Sequence, residues 1–108
     1  MTSPEISAKE LDERRQRGEA IQLIDCREPW ENEFVRLEQS TLIPMNDTPS
    51  RVEELRGMEG QLVVYCHHGV RSMYVVQWLR SQGLTDVVSL AGGIDAWSLQ
   101  VDPDLPRY

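Results

Sequence analysis

The 108-residue chain alternates short apolar runs with amphipathic stretches, and that alternation predicts its elements. Gln61-Leu62-Val63-Val64-Tyr65 is almost unbroken in large apolar residues, the pattern of a strand buried on both faces. Ile21-Gln22-Leu23-Ile24-Asp25, Thr41-Leu42-Ile43-Pro44 and Asp86-Val87-Val88-Ser89-Leu90 read as further short strands. Between them the period changes. Ser7-Ala8-Lys9-Glu10 has the form of a capping box opening a short polar helix around Leu11, which Gly18 should end. Pro29 suits the first turn of a helix running to about Phe34, and Ser50-Arg51-Val52-Glu53 predicts a second capping box before a helix closed by Gly57 or Gly60. A helix from Ser72 or Met73 to Gln82, stopped by Gly83, would bury part of the set Tyr74, Val75, Val76, Trp78 and Leu79 and leave the rest as surface. Gly92-Gly93 marks a turn, Ile94 to Trp97 a last helical turn, and Asp102 to Tyr108, with two prolines, an extended tail. Strands alternating with helices over this length predict one α/β domain, residues 1–108, with a mostly parallel central sheet between helical layers.

Composition narrows the function classes. With 40% hydrophobic and 27% charged residues the chain can bury an ordinary core. A net charge of −7 argues against nucleic acid, whose phosphates need a basic face. The N-terminus Met1-Thr2-Ser3-Pro4-Glu5 has neither a basic nor an apolar leader pattern, and no apolar run approaches membrane-spanning length. The expectation is a cytoplasmic protein without a membrane partner. Two cysteines, Cys26 and Cys66, are then expected as free thiols rather than a disulfide.

The chemistry concentrates in Cys66-His67-His68-Gly69-Val70-Arg71-Ser72, between the most apolar strand and the helix after it. A strand's C-terminal end followed by a helix start supplies orphan N–H donors and a partial positive charge, and both favour Cys–S⁻ over Cys–SH. N–H groups from about His67 to Ser72 can cradle a thiolate or a persulfide anion. Gly69 lets the backbone curl, and Arg71 offers a permanently charged fork to an anionic donor or to the loop itself.

Three segments in order, Leu23-Ile24-Asp25-Cys26-Arg27-Glu28, the Cys66 to Ser72 loop, and Leu90-Ala91-Gly92-Gly93-Ile94-Asp95-Ala96-Trp97, resemble the rhodanese-like sulfurtransferase family across nearly the whole chain. The tail Val101 to Tyr108 is similar to the ending of rhodanese domains fused to ubiquitin-like-protein-activating enzymes of cofactor thiolation pathways. One departure stands at Arg36 to Thr41, where many members carry Gly-His-Ile-x-Gly-Ala. The resemblance implies the rhodanese-like three-layer fold and a sulfurtransferase without a cofactor. A sulfane sulfur would pass from a donor such as thiosulfate, through a Cys66 persulfide, to a thiol, to cyanide or to a sulfur-carrier protein. It also implies that Asp25 and Arg27 form a supporting ion pair behind the loop, with contact between Arg27 and substrate the lesser alternative. The resemblance further implies that a loop with four residues between Cys66 and Arg71 fits a sulfur atom. The five-residue spacing of related phosphatases and arsenate reductases fits a tetrahedral oxyanion, so no phosphatase activity is expected.

Several roles stay open at this level. His67 and His68 fit either a modulating role beside the thiol or plain packing of the loop, and no metal site is expected of them. Cys26 reads first as a small buried hydrophobe at a strand end and second as a resolving thiol for Cys66. Trp30 and Trp97 read as core or rim. A non-catalytic interaction module and a redox sensor are the rivals to the enzyme, although a pure binding module needs neither Cys66 nor Arg71. The physiological donor, the acceptor and the oligomeric state are not specified by the residues.

Overall fold

In the computed structural model, which describes residues 3–108, the apolar runs become strands β1 (Glu5–Ile6), β2 (Ile21–Asp25), β3 (Ser40–Leu42), β4 (Gln61–Tyr65) and β5 (Val87–Leu90). Met1 and Thr2 of the N-terminal reading lie outside the described residues. Every pairing is parallel, in the order β1-β5-β4-β2-β3. β1 was not predicted. Two residues are too short for a periodic signal, and pairing with Ser89 and Leu90 is what makes them a strand. β3 begins at Ser40 rather than Thr41 and stops at Leu42. Beyond it the chain still follows β2, with the Ile43 N–H on the Asp25 carbonyl at 2.9 Å and the Met45 N–H on the Cys26 carbonyl at 2.9 Å.

Helices α1 (Ala8–Gln16), α2 (Pro29–Phe34), α3 (Val52–Arg56), α4 (Val70–Ser81) and α5 (Gly93–Gln100) fill the connections. Ser7 caps α1 as its motif requires, its hydroxyl accepting the Glu10 N–H at 3.1 Å. The second expected box does not form. The Ser50 hydroxyl donates back to the Asp47 carbonyl at 2.9 Å, inside a 3-10 helix over Met45–Arg51, and α3 starts after Arg51 without a side-chain cap. A serine bonding its own preceding turn is lost as an N-cap. The tail is likewise not extended. Asp102 accepts the Leu105 N–H on its carbonyl at 3.0 Å and the Asp104 N–H on its carboxylate at 3.2 Å, and this turn folds the chain back so that Tyr108 meets the Cys66 loop.

The two faces of the sheet sort the core. Leu23, Val63, Tyr65 and Leu90 point to the layer holding Leu11, Ile94 and Trp97, whereas Ile24, Val64, Cys26 and Cys66 point to the layer holding Leu55, Val75, Val76 and Leu79. Successive strand residues thus alternate between two apolar layers, and central strands need no polar face. The chain runs outward from β2 to β3, then returns across β2 to β4 and continues to β5. The direction reverses between β2 and β4, and the C-terminal edge at such a reversal is where open α/β sheets bind ligands. Cys26 and Cys66 follow those two strands. No helix among the described residues is long and apolar enough to cross a membrane.

Candidate active site

Cys66 leaves β4 into a loop that turns back on its own sulfur. Gly69, at φ +102, is the N-cap of α4, so the helix begins at Val70, ahead of the expected Ser72 or Met73. A left-handed glycine turns the chain into the helix, the Cys66 sulfur accepts the Ser72 N–H that a side-chain cap accepts elsewhere, and no capping motif announces it. The early start aims two backbone donors at the sulfur, the Gly69 N–H at 3.1 Å and the Ser72 N–H at 3.3 Å. The Ser72 hydroxyl stands 3.4 Å from the same sulfur and 2.7 Å from the Ser89 hydroxyl on β5. On the other side, α5 grips the loop's carbonyls: the Ile94 N–H binds Cys66 at 2.9 Å and the Asp95 N–H binds His67 at 3.2 Å. Gly93, at φ +63, permits this approach, because a Cβ there would sit 2.4 Å from the His67 oxygen and 2.5 Å from the Cys66 oxygen.

A chain of charges supports the loop from behind. Arg27 and Asp25 are fully buried and paired two-pronged, Nε to Oδ1 and Nη2 to Oδ2, both at 2.8 Å. The Arg27 guanidinium also reaches the Val35 carbonyl at 2.6 Å and the Tyr108 hydroxyl at 3.0 Å. The Tyr108 hydroxyl donates in turn to Glu31, and Glu31 holds Arg71 through two bonds of 2.7 and 2.9 Å. Arg71, expected to offer its fork to an anionic donor or to the loop itself, here spends it on a carboxylate of α2. Glu31 also closes a capping box with Glu28 at the start of α2.

Sequence comparison matches the Rhodanese-like domain over residues 7–100. The chain belongs to the rhodanese-like domain family. The domain is 35% identical over 103 residues to a protein of Bacillus subtilis named putative sulfurtransferase YtwF, covering 95% of this chain and 98% of that one. It is 33% identical over 108 residues to the probable adenylyltransferase/sulfurtransferase MoeZ of Mycobacterium tuberculosis, covering 95% of this chain and 26% of that one. This chain spans only 23 to 37% of several longer relatives. The rhodanese-related protein of Thermoplasma volcanium superposes with a TM-score of 0.77 at 31% identity, over 92% of this chain and 94% of that one. The five-strand parallel sheet flanked by helices is the rhodanese-like fold.

Within the rhodanese-like domain, the environment of Cys66 favours its anion. The Cys26 thiol against it, then the Ser72 hydroxyl and the N–H groups of Ser72 and Gly69, hold its pKa well below the ordinary thiol value against the opposing effect of burial. Cys26 is driven the other way, by donating to Cys66, by burial and by the negative charges of Cys66 and Asp25. The backbone donors point at Cys66, so Cys66 is the member of the pair that ionises. Burial opposes ionisation of Glu31, but bonds from Arg71, Tyr108 and the Glu28 N–H outweigh it and pull its pKa down to about 2.

His67 lies flat between His68, at a centroid distance of 3.9 Å, and Tyr108, at 3.8 Å. Its Nε2 is buried without a hydrogen-bond partner. Ligand atoms of His67, His68 and Asp95 come within 4.8 Å of one another, yet Asp95 is already bound by Arg107 at 2.7 Å and Cys66 is not among them. Val70 is exposed on the loop, with Tyr74 one turn along α4. Trp97 is core, whereas Trp30 is exposed at the rim, where it and Phe34 meet Tyr108 edge-on. Glu31, Ser89 and Tyr108 belong to the site and were missed. Glu31 carried one readable signal, its place three residues after Glu28 at a Pro29 helix start.

Proposed function

We propose that this rhodanese-like domain is a sulfurtransferase whose Cys66 takes a sulfane sulfur as a persulfide and yields it to a thiophilic acceptor. The observation that carries this is the set of donors converging on one sulfur: two backbone N–H groups and, toward the thiolate, the Ser72 hydroxyl, in a loop with four residues between Cys66 and Arg71. With thiosulfate as donor, the Cys66 thiolate forms a bond to the sulfane sulfur as the bond to sulfite breaks. Sulfite leaves with the electron pair, and the negative charge moves to the outer sulfur. The acceptor then attacks that outer sulfur and restores the thiolate. Because Cys66 is 1% exposed, the outer sulfur is the part of the persulfide that an acceptor can reach. His67 to Ser72 form the wall of the loop, and Asp25 and Arg27 brace the strand end behind it.

Arg71 is neutralised by Glu31, so the loop offers a donor hydrogen bonds rather than a free cation. This favours persulfide donors of low charge over the thiosulfate dianion. The exposed apolar side chains Trp30, Phe34, Val70 and Tyr74 near the loop suit a protein acceptor, and relatives named adenylyltransferase/sulfurtransferase point the same way. Free thiols at Cys26 and Cys66 suit a reducing, cytoplasmic setting. Intact-mass measurement tests the reading. Wild type incubated with thiosulfate or with a persulfidated small thiol gains one sulfur, and Cys66→Ala gains none. A wild type that neither gains sulfur nor releases sulfide with either donor overturns it.

A further inference from the structure

Cys26 is the small buried residue at a strand end that its first reading expects, and its placement beside Cys66 also bears on the second, a resolving thiol. β2 and β4 are paired in parallel register through Asp25 and Tyr65, and Cys26 and Cys66 are the next residues on each chain. The Cys26 N–H is bonded to the Tyr65 carbonyl at 3.1 Å, so the pairing continues to the cysteines. Both side chains enter the same apolar layer, 2% and 1% exposed. Neighbouring strands lie about 4.8 Å apart, inside the Cα separations that a disulfide spans. The two thiols act on each other's protons in opposite directions, Cys66 held low and Cys26 pushed up.

The directions of approach matter equally. Gly69 and Ser72 address the Cys66 sulfur from the loop and α4, and Cys26 addresses it from β2. An anionic outer sulfur on Cys66 is drawn toward the N–H donors, which leaves the inner sulfur to Cys26. We propose that Cys26 is a resolving thiol: it attacks the inner sulfur of the Cys66 persulfide, closes a Cys26–Cys66 disulfide and expels the outer sulfur as sulfide.

The step balances. Cys66–S–S⁻ and Cys26–SH give the disulfide and HS⁻; the Cys26 sulfur bonds to the Cys66 sulfur, the bond to the outer sulfur breaks, and the thiol proton leaves with it. The two cysteine sulfurs are oxidised and the sulfane sulfur is reduced by the same two electrons. An external dithiol then returns the pair to thiols. Timing follows from charge. While Cys66 is a thiolate its charge keeps the Cys26 proton in place, and loading moves that charge one atom outward, toward the cradle. The domain would then have two outputs, a sulfane sulfur when an acceptor docks and sulfide when none does.

This rests on the persulfide reading, and the experiment separates the two. Wild type, Cys26→Ser and Cys26→Ala are loaded with a persulfidated small thiol, freed of excess reagent and left without acceptor. Sulfide is then trapped, and intact masses and cysteine peptides are read. Wild type should release one sulfide per chain and finish two hydrogens lighter, with the two cysteine peptides joined. Both variants should keep the added sulfur, releasing sulfide at least about tenfold more slowly. Equal release by all three, or a wild type that keeps its added sulfur, overturns the proposal. If no form gains sulfur, the sulfurtransferase reading fails, and oxidation by diamide decides the pairing alone. Loss of two hydrogens with joined peptides supports a resolving pair, and two thiols still open to alkylation after unfolding overturn it.

Discussion

At the scale of single residues, the strongest constraint is a charge with nowhere else to go. Arg27 is fully buried, and besides Asp25 its guanidinium binds the Val35 carbonyl and the Tyr108 hydroxyl and lies over the Tyr65 ring. Burial alone would push the guanidinium toward its neutral form, but the bonds to Asp25 and Tyr108 outweigh it and raise its pKa. Asp25→Ala would strand that charge, along with the Asn32 amide that binds Asp25 at 2.9 Å. The expected loss is about 3 to 5 kcal/mol of unfolding free energy, read by urea denaturation. The double variant Asp25→Leu with Arg27→Met should recover a large part of it, because removing both partners also removes the desolvation cost. A double variant no more stable than Asp25→Ala would mean that the pair's worth lies in its hydrogen-bond geometry.

At the scale of elements, the loop is held as much by α5 as by its own sequence. Gly93→Ala meets two carbonyl oxygens at 2.4 and 2.5 Å and occupies φ +63, so the Cys66 loop and α5 must separate. About 2 to 4 kcal/mol of stability should be lost, and sulfur uptake by Cys66 should fall with it. Gly57→Ala is the matched control. It sits at negative φ with its nearest new contacts at 3.7 Å, and its stability should change by less than about 1 kcal/mol. Retained sulfur uptake by Gly93→Ala would show that α5 does not set the cradle. Strands β2 to β5 were legible in their apolar runs, and the ends of α1 and the start of α2 because Ser7, Gly18 and Pro29 act through their own neighbours. The 3-10 helix at Met45–Arg51, the left-handed Gln39 at φ +63 and the start of α4 were not. The Arg36 to Thr41 segment shows why: Leu37 and Ser40 are fixed by the Tyr65 hydroxyl, at 3.2 and 3.0 Å, across 25 residues or more of chain.

At the scale of the whole molecule, the fold joins α2, the start of α4 and the tail through one carboxylate. Glu31 is bonded to Arg71, 40 residues on, and to Tyr108, 77 residues on, so the local capping pattern with Glu28 could not reveal these partners. Cys66, Gly69 and Arg71 were readable because their spacing within one loop is itself the signal. The Glu31 linkage makes stability depend on pH in a stated direction. Its pKa falls from an ordinary 4.5 to about 2 on folding, so the unfolded chain binds the proton more readily. Its stabilising share is complete above the unfolded value and disappears as pH drops from about 5 toward 2. That share is on the order of 3 kcal/mol. In urea titrations from neutral pH downward, wild type should lose stability more steeply than Glu31→Gln across this window. The two curves should draw together at its acid end, where both side chains are neutral. Parallel curves would show that Glu31 does not titrate against Arg71 and Tyr108. Since Glu31→Gln also frees the Arg71 fork, the same variant should lower the KM for thiosulfate even as its stability at neutral pH declines. Wild-type KM in a weakened protein would separate the brace from donor selection.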